Sequence, residues 1–277
     1  MPHVAFSTIA CPEWTLRAVA ERARRWDFDG VELRTFGPGS TIGASDPCLS
    51  DPSKVRAILD EQGVALTGYG SGARFDEPLW PPAPVGYVLG DFERPVREFK
   101  PITEHASRTG AGYVRVYGFE RIEGEPRPRA VKRISDRLRL VCDDARHQNV
   151  RVAIENAGSF ARAEELMEIV ERVNKPELGV CYSMLAAHNA GEDPAEGVRT
   201  LAERLVSTRI SDERDGVPCV IGEGDAPCES FVRSLGASTP LVIDWPAMWR
   251  DDLAPADEAL PASFAAVTSW TREPAGV

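Results

Sequence analysis

The sequence predicts a (β/α)8 barrel, an α/β fold, on three observations. Short runs rich in β-branched and aromatic residues recur eight times, and a longer helical pattern follows each one. The glycine-rich phosphate fingerprint that a doubly wound sheet wants after its first strand is missing. Eight strand–helix pairs need about 250 residues, and the chain has 277. No break in composition divides it, so residues 1–277 are expected to form one barrel domain.

The strand candidates are 3–8 (HVAFST), 29–34 (DGVELR), 64–70 (VALTGYG), 112–117 (GYVRVY), 150–156 (VRVAIEN), 177–183 (ELGVCYS), 205–211 (LVSTRIS) and 240–245 (PLVIDW). Helical patterns follow near 14–26, 52–62, 92–109, 127–148, 161–173, 194–203, 227–235 and 255–270. Asp51-Pro52 and Asp193-Pro194 each place a capping carboxylate before a proline suited to the first helical position, and Ser159 is expected to cap the fifth helix. Two connections are long, 35–50 after the second strand and 71–91 after the third. Both fall on the side where barrel active sites are built, and Trp80 and Tyr87 are candidates to cover a substrate there.

Composition narrows the partners. Apolar residues make up 43% and charged residues 27%, an ordinary globular mixture. A formal charge of -11 disfavours nucleic acid, whose binding rests on Lys and Arg neutralising phosphates. No apolar run reaches the ~18 residues of a membrane span, and the chain enters its first strand without a basic leader. The expectation is a cytoplasmic protein that takes a small-molecule substrate, engages neither nucleic acid nor membrane, and is compatible with a homo-oligomer. Cys11, Cys48, Cys142, Cys181, Cys219 and Cys228 form no C-x-x-C pair and are expected to be free thiols.

Strand parity picks out the mouth, because alternate residues of a barrel strand face the lumen. Strand five leaves Ala153 and Glu155 inward, strand seven Ser207 and Arg209, and strand eight Val242 and Asp244. Val206, Thr208 and Ile210 are expected outward. By the same rule Glu32 and Arg34 point inward from strand two and Arg115 from strand four, while strand six offers Cys181 and Ser183. Three carboxylates and three arginines near one end of a lumen are costly unless paired or coordinated. They indicate either a site for a polar or anionic small molecule or an ion-pair layer satisfied within itself.

At these residues the chain resembles the sugar phosphate isomerase/epimerase family, the xylose isomerase-like TIM barrels. The resemblance runs through DGVELR (29–34), VAIEN (152–156), ELGVCYSMLAAHNAGEDPAEG (177–197), RISDERDG (209–216), IGEGDAP (221–227) and LVIDWP (241–246). It implies a barrel that binds one divalent metal through Glu, Asp, His and Glu from strands five to eight, the outer carboxylates also moving the proton. This chain departs from that pattern in three of the four places. Glu155 matches, but Ser183 stands for the Asp, Arg209 for the His and Asp244 for the last Glu. Arginine has no lone pair to give, and two carboxylates are too few for a tight site.

The expectation is therefore an isomerase- or epimerase-like enzyme without the family's metal, with Glu155 and Asp244 catalytic. Glu32, Arg34, Arg115, Ser183, Arg209, Arg214 and Trp80 are its candidate substrate-binding residues. Glu155, Asp244 and Arg209 sum to the same formal charge as three carboxylates around a divalent ion, which places the Arg209 guanidinium in the region of the missing ion. The shorter Asp244 leaves dehydration, decarboxylation or cyclisation open beside epimerisation. One alternative is a metalloenzyme binding Mn, Mg, Zn or Co through relocated ligands drawn from Glu32, Glu155, His188, Asp212 and Asp244. Another is a non-catalytic binding barrel. In IGEGDAP, Gly222 and Gly224 let backbone N–H groups cradle an anion or simply turn the chain into the next helix, with Asp212 and Arg214 just upstream.

Overall fold

The structure, a computed structural model, describes residues 2–35, 51–78 and 91–271. Eight parallel strands close a barrel. They are β1 (His3–Ser7), β2 (Gly30–Arg34), β3 (Ala65–Arg74), β4 (Tyr113–Tyr117), β5 (Arg151–Glu155), β6 (Leu178–Ser183), β7 (Leu205–Ile210) and β10 (Pro240–Ile243), with β10 pairing back onto β1. The helices between them are α1 (Leu16–Arg25), α2 (Pro52–Gln62), α3 (Arg94–Thr109), α4 (Arg127–Gln148), α5 (Ala163–Val173), α6 (Met184–Asn189), α7 (Pro194–Leu201), α8 (Cys228–Ser234) and α9 (Ala256–Thr271). No helix among the described residues is long and apolar enough to cross a membrane.

The barrel follows from two periodicities. Outward strand residues such as Val4, Phe6, Val31, Leu33, Val152, Ile154, Leu241 and Ile243 bury themselves under the apolar stripes of the helices and form one continuous core. Helix starts behave as their side chains dictate. Asp51 accepts from the Ser53 N–H at 3.0 Å, and Asp193 from the Ala195 N–H at 3.0 Å. Ser159 does not cap the fifth helix. That helix begins after Arg162, whose backbone N–H donates to Glu165 at 3.1 Å, while Ser159 receives the Arg121 N–H from the β4 side.

Four local features differ from the parity and length expectations. The segment after β6 forms a short helix, α6, before α7, with His188 in its last turn. After β7 the chain makes a small antiparallel hairpin, β8 (Asp212–Arg214) with β9 (Val217–Cys219). The β6–β7 register shifts so that Val180 pairs Leu205 but Cys181 pairs Ser207. The bulge turns Val206 against Tyr113, Ala153 and Cys181 inside the barrel, not outward. Finally, β10 stops at Ile243, and Asp244 continues the register through its N–H to the Ile210 carbonyl at 2.9 Å.

Tyr113, Ala153 and Cys181 plug the lumen below the charged end. Tyr113 fits because a Cβ on Gly68 would lie only 2.5 Å from its ring. A cavity of about 480 Å³ beneath this plug, lined by Thr67, Gly112, Arg151 and Val206, opens at the N-terminal end of the barrel. Chemistry in such barrels sits at the opposite end, where Glu32, Arg34, Arg115, Glu155, Arg209 and Asp244 lie.

Candidate active site

Strand register brings the charged residues together. Glu32 stands beside Ser7 of β1 and Gly68 of β3, Arg115 beside Gly70 and Ala153, and Arg209 beside Ser183 and Val242. A Cβ at position 70 would meet Arg115 Nη2 at 2.7 Å and Glu32 Oε1 at 2.9 Å. The two lumen positions of the T-G-Y-G run are glycines because the Tyr113 ring and the Arg115–Glu32 pair occupy the space a side chain would need.

The charges form an alternating chain across the mouth. Arg115 Nη1 pairs with Glu155 Oε2, and Arg115 Nη2 lies 3.5 Å from Glu32 Oε1. The same Glu32 oxygen accepts from Arg209 Nη1 at 2.6 Å. Arg209 then grips Asp244 Oδ2 through Nη2 at 2.8 Å and Nε at 3.2 Å. Exposure rises towards the ends: the Glu32 side chain is 0% exposed and the two arginines 3%, against 15% for Glu155 and 27% for Asp244. Only the two end carboxylates reach solvent.

Burial and pairing set the protonation states. Desolvation alone would raise the Glu32 carboxyl, but the Arg209 and Arg115 guanidiniums and the bonds from Arg209 and Tyr113 outweigh it and bring it down to about 2. Burial pulls Arg209 down, yet Asp244, Glu32 and Glu155 hold it well above the ordinary arginine value. Arg115 is likewise raised, chiefly by Glu155, Tyr117 and Glu32 against burial and the Arg209 charge. Beneath them Tyr113 donates to Glu32 Oε2 at 3.0 Å and shares a bond of 3.1 Å with Ser207. Burial, together with the Glu32 charge, pushes this phenol well up, so it stays neutral.

The structure also brings in residues that sequence reasoning missed. The Tyr117 hydroxyl accepts from Arg115 Nη1 at 2.7 Å and from Arg34 Nη1 at 3.2 Å. Arg34 Nη1 also donates to the Ser71 carbonyl at 3.1 Å, and its guanidinium lies 5.8 Å from the exposed Trp249 ring. Parity along Tyr113, Arg115 and Tyr117 carries the signal for both tyrosines. Nothing in the residue pattern points to Trp249. Buried polar atoms without a partner among the described residues include Arg115 Nε, Asp244 Oδ1, Ser7 Oγ and Thr35 Oγ1.

Other candidates lie apart from the charged chain. Ser183 caps α6, its Oγ receiving the Ala186 N–H at 3.5 Å, and Asn156 fixes its backbone by accepting the Ser183 N–H at 2.6 Å. Arg214 is exposed on the hairpin and bonds the Glu223 carbonyl. The IGEGDAP amides do cradle an anion, but it is the chain's own: Asp212 Oδ2 accepts from Gly222 and Gly224 at 2.9 Å each, and Oδ1 from Ala226 at 3.2 Å. Trp80, Tyr87 and Cys48 lie outside the described residues.

The residues present do not fit a divalent metal. At the four family positions, Glu155 and Asp244 each already hold a guanidinium, Ser183 caps a helix and Arg209 is itself a cation. Among the described residues no group of three or more His, Cys, Asp or Glu is arranged to hold a metal ion.

Eight parallel strands alternating with helices, with carboxylates and arginines at the strand ends, define a (β/α)8 barrel. Residues 20–269 match the xylose isomerase-like TIM barrel family, and the chain belongs to it. No curated protein matches the chain in sequence. Among solved structures it is similar to the probable 3-DHS dehydratase AsbF of Bacillus anthracis, involved in petrobactin synthesis, with a TM-score of 0.77 at 13% identity over 96% of this chain and 98% of that one. It is also similar to the D-psicose 3-epimerase of Clostridium cellulolyticum H10, with a TM-score of 0.75 at 14% identity over 96% and 98%. A xylose isomerase domain protein from Alicyclobacillus acidocaldarius gives 0.73 at 17% over 98% of both chains. At these identities the likeness establishes the fold alone.

Proposed function

We propose that this barrel catalyses proton transfer next to the carbonyl of a small polar, sugar-like or anionic metabolite, as an isomerase or epimerase does, without a divalent metal. The observation that carries the proposal is the alternating chain Glu155–Arg115–Glu32–Arg209–Asp244, buried in its middle and solvent-reaching only at its two carboxylate ends. Two carboxylates on strands separated by β6 and β7 give an acid and a base on either side of a mouth. The permanently charged guanidinium of Arg209 supplies the N–H groups that stabilise an oxyanion at the mouth.

In this mechanism Glu155 takes the proton from the carbon beside the carbonyl. The C–H electron pair becomes the C=C bond of an enediolate, and the carbonyl oxygen takes the negative charge. Asp244, protonated, releases its grip on Arg209, so Nε and Nη2 turn their N–H groups to that oxygen. Asp244 then returns a proton to carbon and takes Arg209 back. The same first step begins the elimination of water, so one site chemistry serves both an epimerase and a dehydratase.

The test is solvent deuterium exchange, followed by mass spectrometry, across a panel of ketoses and hydroxylated keto acids. Exchange is expected into at least one substrate, unaffected by chelators. Glu155→Gln and Asp244→Asn should each slow it by about 10²-fold or more. A folded protein that exchanges nothing on the panel overturns the proposal, and one tightly held metal ion per chain by elemental mass spectrometry overturns its metal-free part. That every charge of the chain is already paired favours a second reading, a non-catalytic binding barrel. Saturable binding of a panel member without exchange supports it.

A further inference from the structure

We infer that Arg34 and Tyr117 form an anion subsite at the rim of the mouth, which receives a carboxylate or phosphate carried by the substrate. This deepens the reading of a proton-transfer site by naming the substrate class, and it rests on that reading.

Arg115 and Arg209 are each held between two carboxylates. Arg34 is different: among the described residues its guanidinium meets no carboxylate. Its Nη1 is fixed by a carbonyl, Ser71, and a phenol, Tyr117, so the head is oriented but not neutralised. No partner occupies its Nη2 and Nε among the described residues, which leaves a planar fork suited to an oxyanion.

Tyr117 adds a donor to this fork. Its oxygen accepts one N–H from Arg115 at 2.7 Å and one from Arg34 at 3.2 Å. A phenol oxygen that accepts twice has no acceptor capacity left, so its own O–H, which meets no acceptor among the described residues, points its hydrogen outward to donate. The subsite therefore offers three donors and no acceptor, the signature of an anion site.

Position supports the assignment. Tyr117 pairs in register with Glu155, so the subsite adjoins the proposed base. The Trp249 ring, 59% exposed, flanks the guanidinium. The formal charges of Glu32, Glu155, Asp244, Arg115 and Arg209 sum to -1, and Arg34 brings the mouth to zero. Among the described residues of the mouth, only at Arg34 does an incoming anion meet a cation that no carboxylate has neutralised.

The experiment is calorimetric titration of the full chain with inorganic phosphate and, separately, with acetate. Saturable binding of one of them is expected, and the tighter of the two identifies the group. Arg34→Gln should weaken it roughly tenfold or more, and Tyr117→Phe a few-fold. Arg17→Gln, an exposed arginine on α1, should bind as the parent does. Thermal melts of Arg34→Gln confirm that it folds. Failure of both anions to bind, or equal binding by a folded Arg34→Gln, overturns the subsite. The two proposals fail separately. Anion binding lost at Arg34→Gln, with no deuterium exchange anywhere, leaves the subsite and removes the chemistry. Exchange that Arg34→Gln leaves unchanged, with neither anion bound by the parent, keeps the chemistry and removes the subsite.

Discussion

Glu32→Gln tests the centre of the charged chain. The substitution keeps the side chain's size, but it removes the negative charge that holds two buried guanidiniums and turns an amide N–H₂ towards a guanidinium or the Tyr113 hydroxyl. The fall of the Glu32 carboxyl from 4.5 to about 2, at ~1.4 kcal/mol per pH unit, amounts to about 3 kcal/mol of folding stability. That agrees with the ~3–5 kcal/mol usually lost when one partner of a buried ion pair is removed. Between pH 4.5 and 2 the unfolded chain binds the Glu32 proton and the folded chain does not, so the contribution is complete above that window and is lost as the pH falls through it. Urea titrations of the parent and Glu32→Gln give the assay, since urea is neutral and leaves the charges unscreened. The expected gap is about 3 kcal/mol at pH 7 and roughly half that at pH 3. Other carboxylates titrate in the same range, but they do so in both proteins and cancel in the difference. A gap that is absent at pH 7, or that does not change with pH, refutes the reasoning.

Three further substitutions probe what positions the site. Gly70→Ala puts a methyl group against Arg115 and Glu32, and should cost about 1–3 kcal/mol in urea titrations. It should also slow the proposed proton exchange. Asp212→Ala removes the acceptor for three amides of the 222–226 turn. It should cost about 3 kcal/mol, and amide hydrogen exchange should show those N–H groups losing protection. Arg137 of α4 donates to the carbonyls of Phe75, Glu77 and Phe92, on both sides of the 79–90 segment. Arg137→Met should lose about 2–4 kcal/mol, with proteolysis near that segment accelerating in proportion.

The barrel was legible because its signals are local and repeated. Strand and helix periods, Asp-Pro caps and the inward parity of Glu32, Arg115, Glu155, Arg209 and Asp244 need no long-range information. The β8–β9 hairpin had a signal that went unused: Asp215-Gly216 supplies two positive φ values, 53° and 74°, the usual two-residue hairpin turn. Helix α6, six residues long, is too short for a 3.6-residue period to show. The pairing within the mouth was not legible, since which arginine meets which carboxylate depends on barrel stagger and on the bulge at Val206. For IGEGDAP the sequence leaves an anion cradle and a plain turn both open, because nothing in it shows that Asp212 folds back onto those amides.

On the proposed metal-free reading, an arginine in place of a metal changes what a substrate must bring. A divalent ion exchanges a water for a substrate oxygen and keeps its protein ligands. A guanidinium has a fixed set of N–H groups and no vacancy beyond them. All three nitrogens of Arg209 are engaged, Nη1 by Glu32 and the other two by Asp244. Arg209 keeps a second N–H on each of Nη1 and Nη2, but in the proposed mechanism the substrate oxygen takes the Nε–Nη2 edge, and for that a carboxylate must let go. Glu32, fully buried and bonded also by Tyr113, cannot do so without stranding a charge. Asp244 can, because it lies at the solvent-reaching end of the chain. In the proposed mechanism Asp244 is thus the member of the chain that opens Arg209 to the substrate.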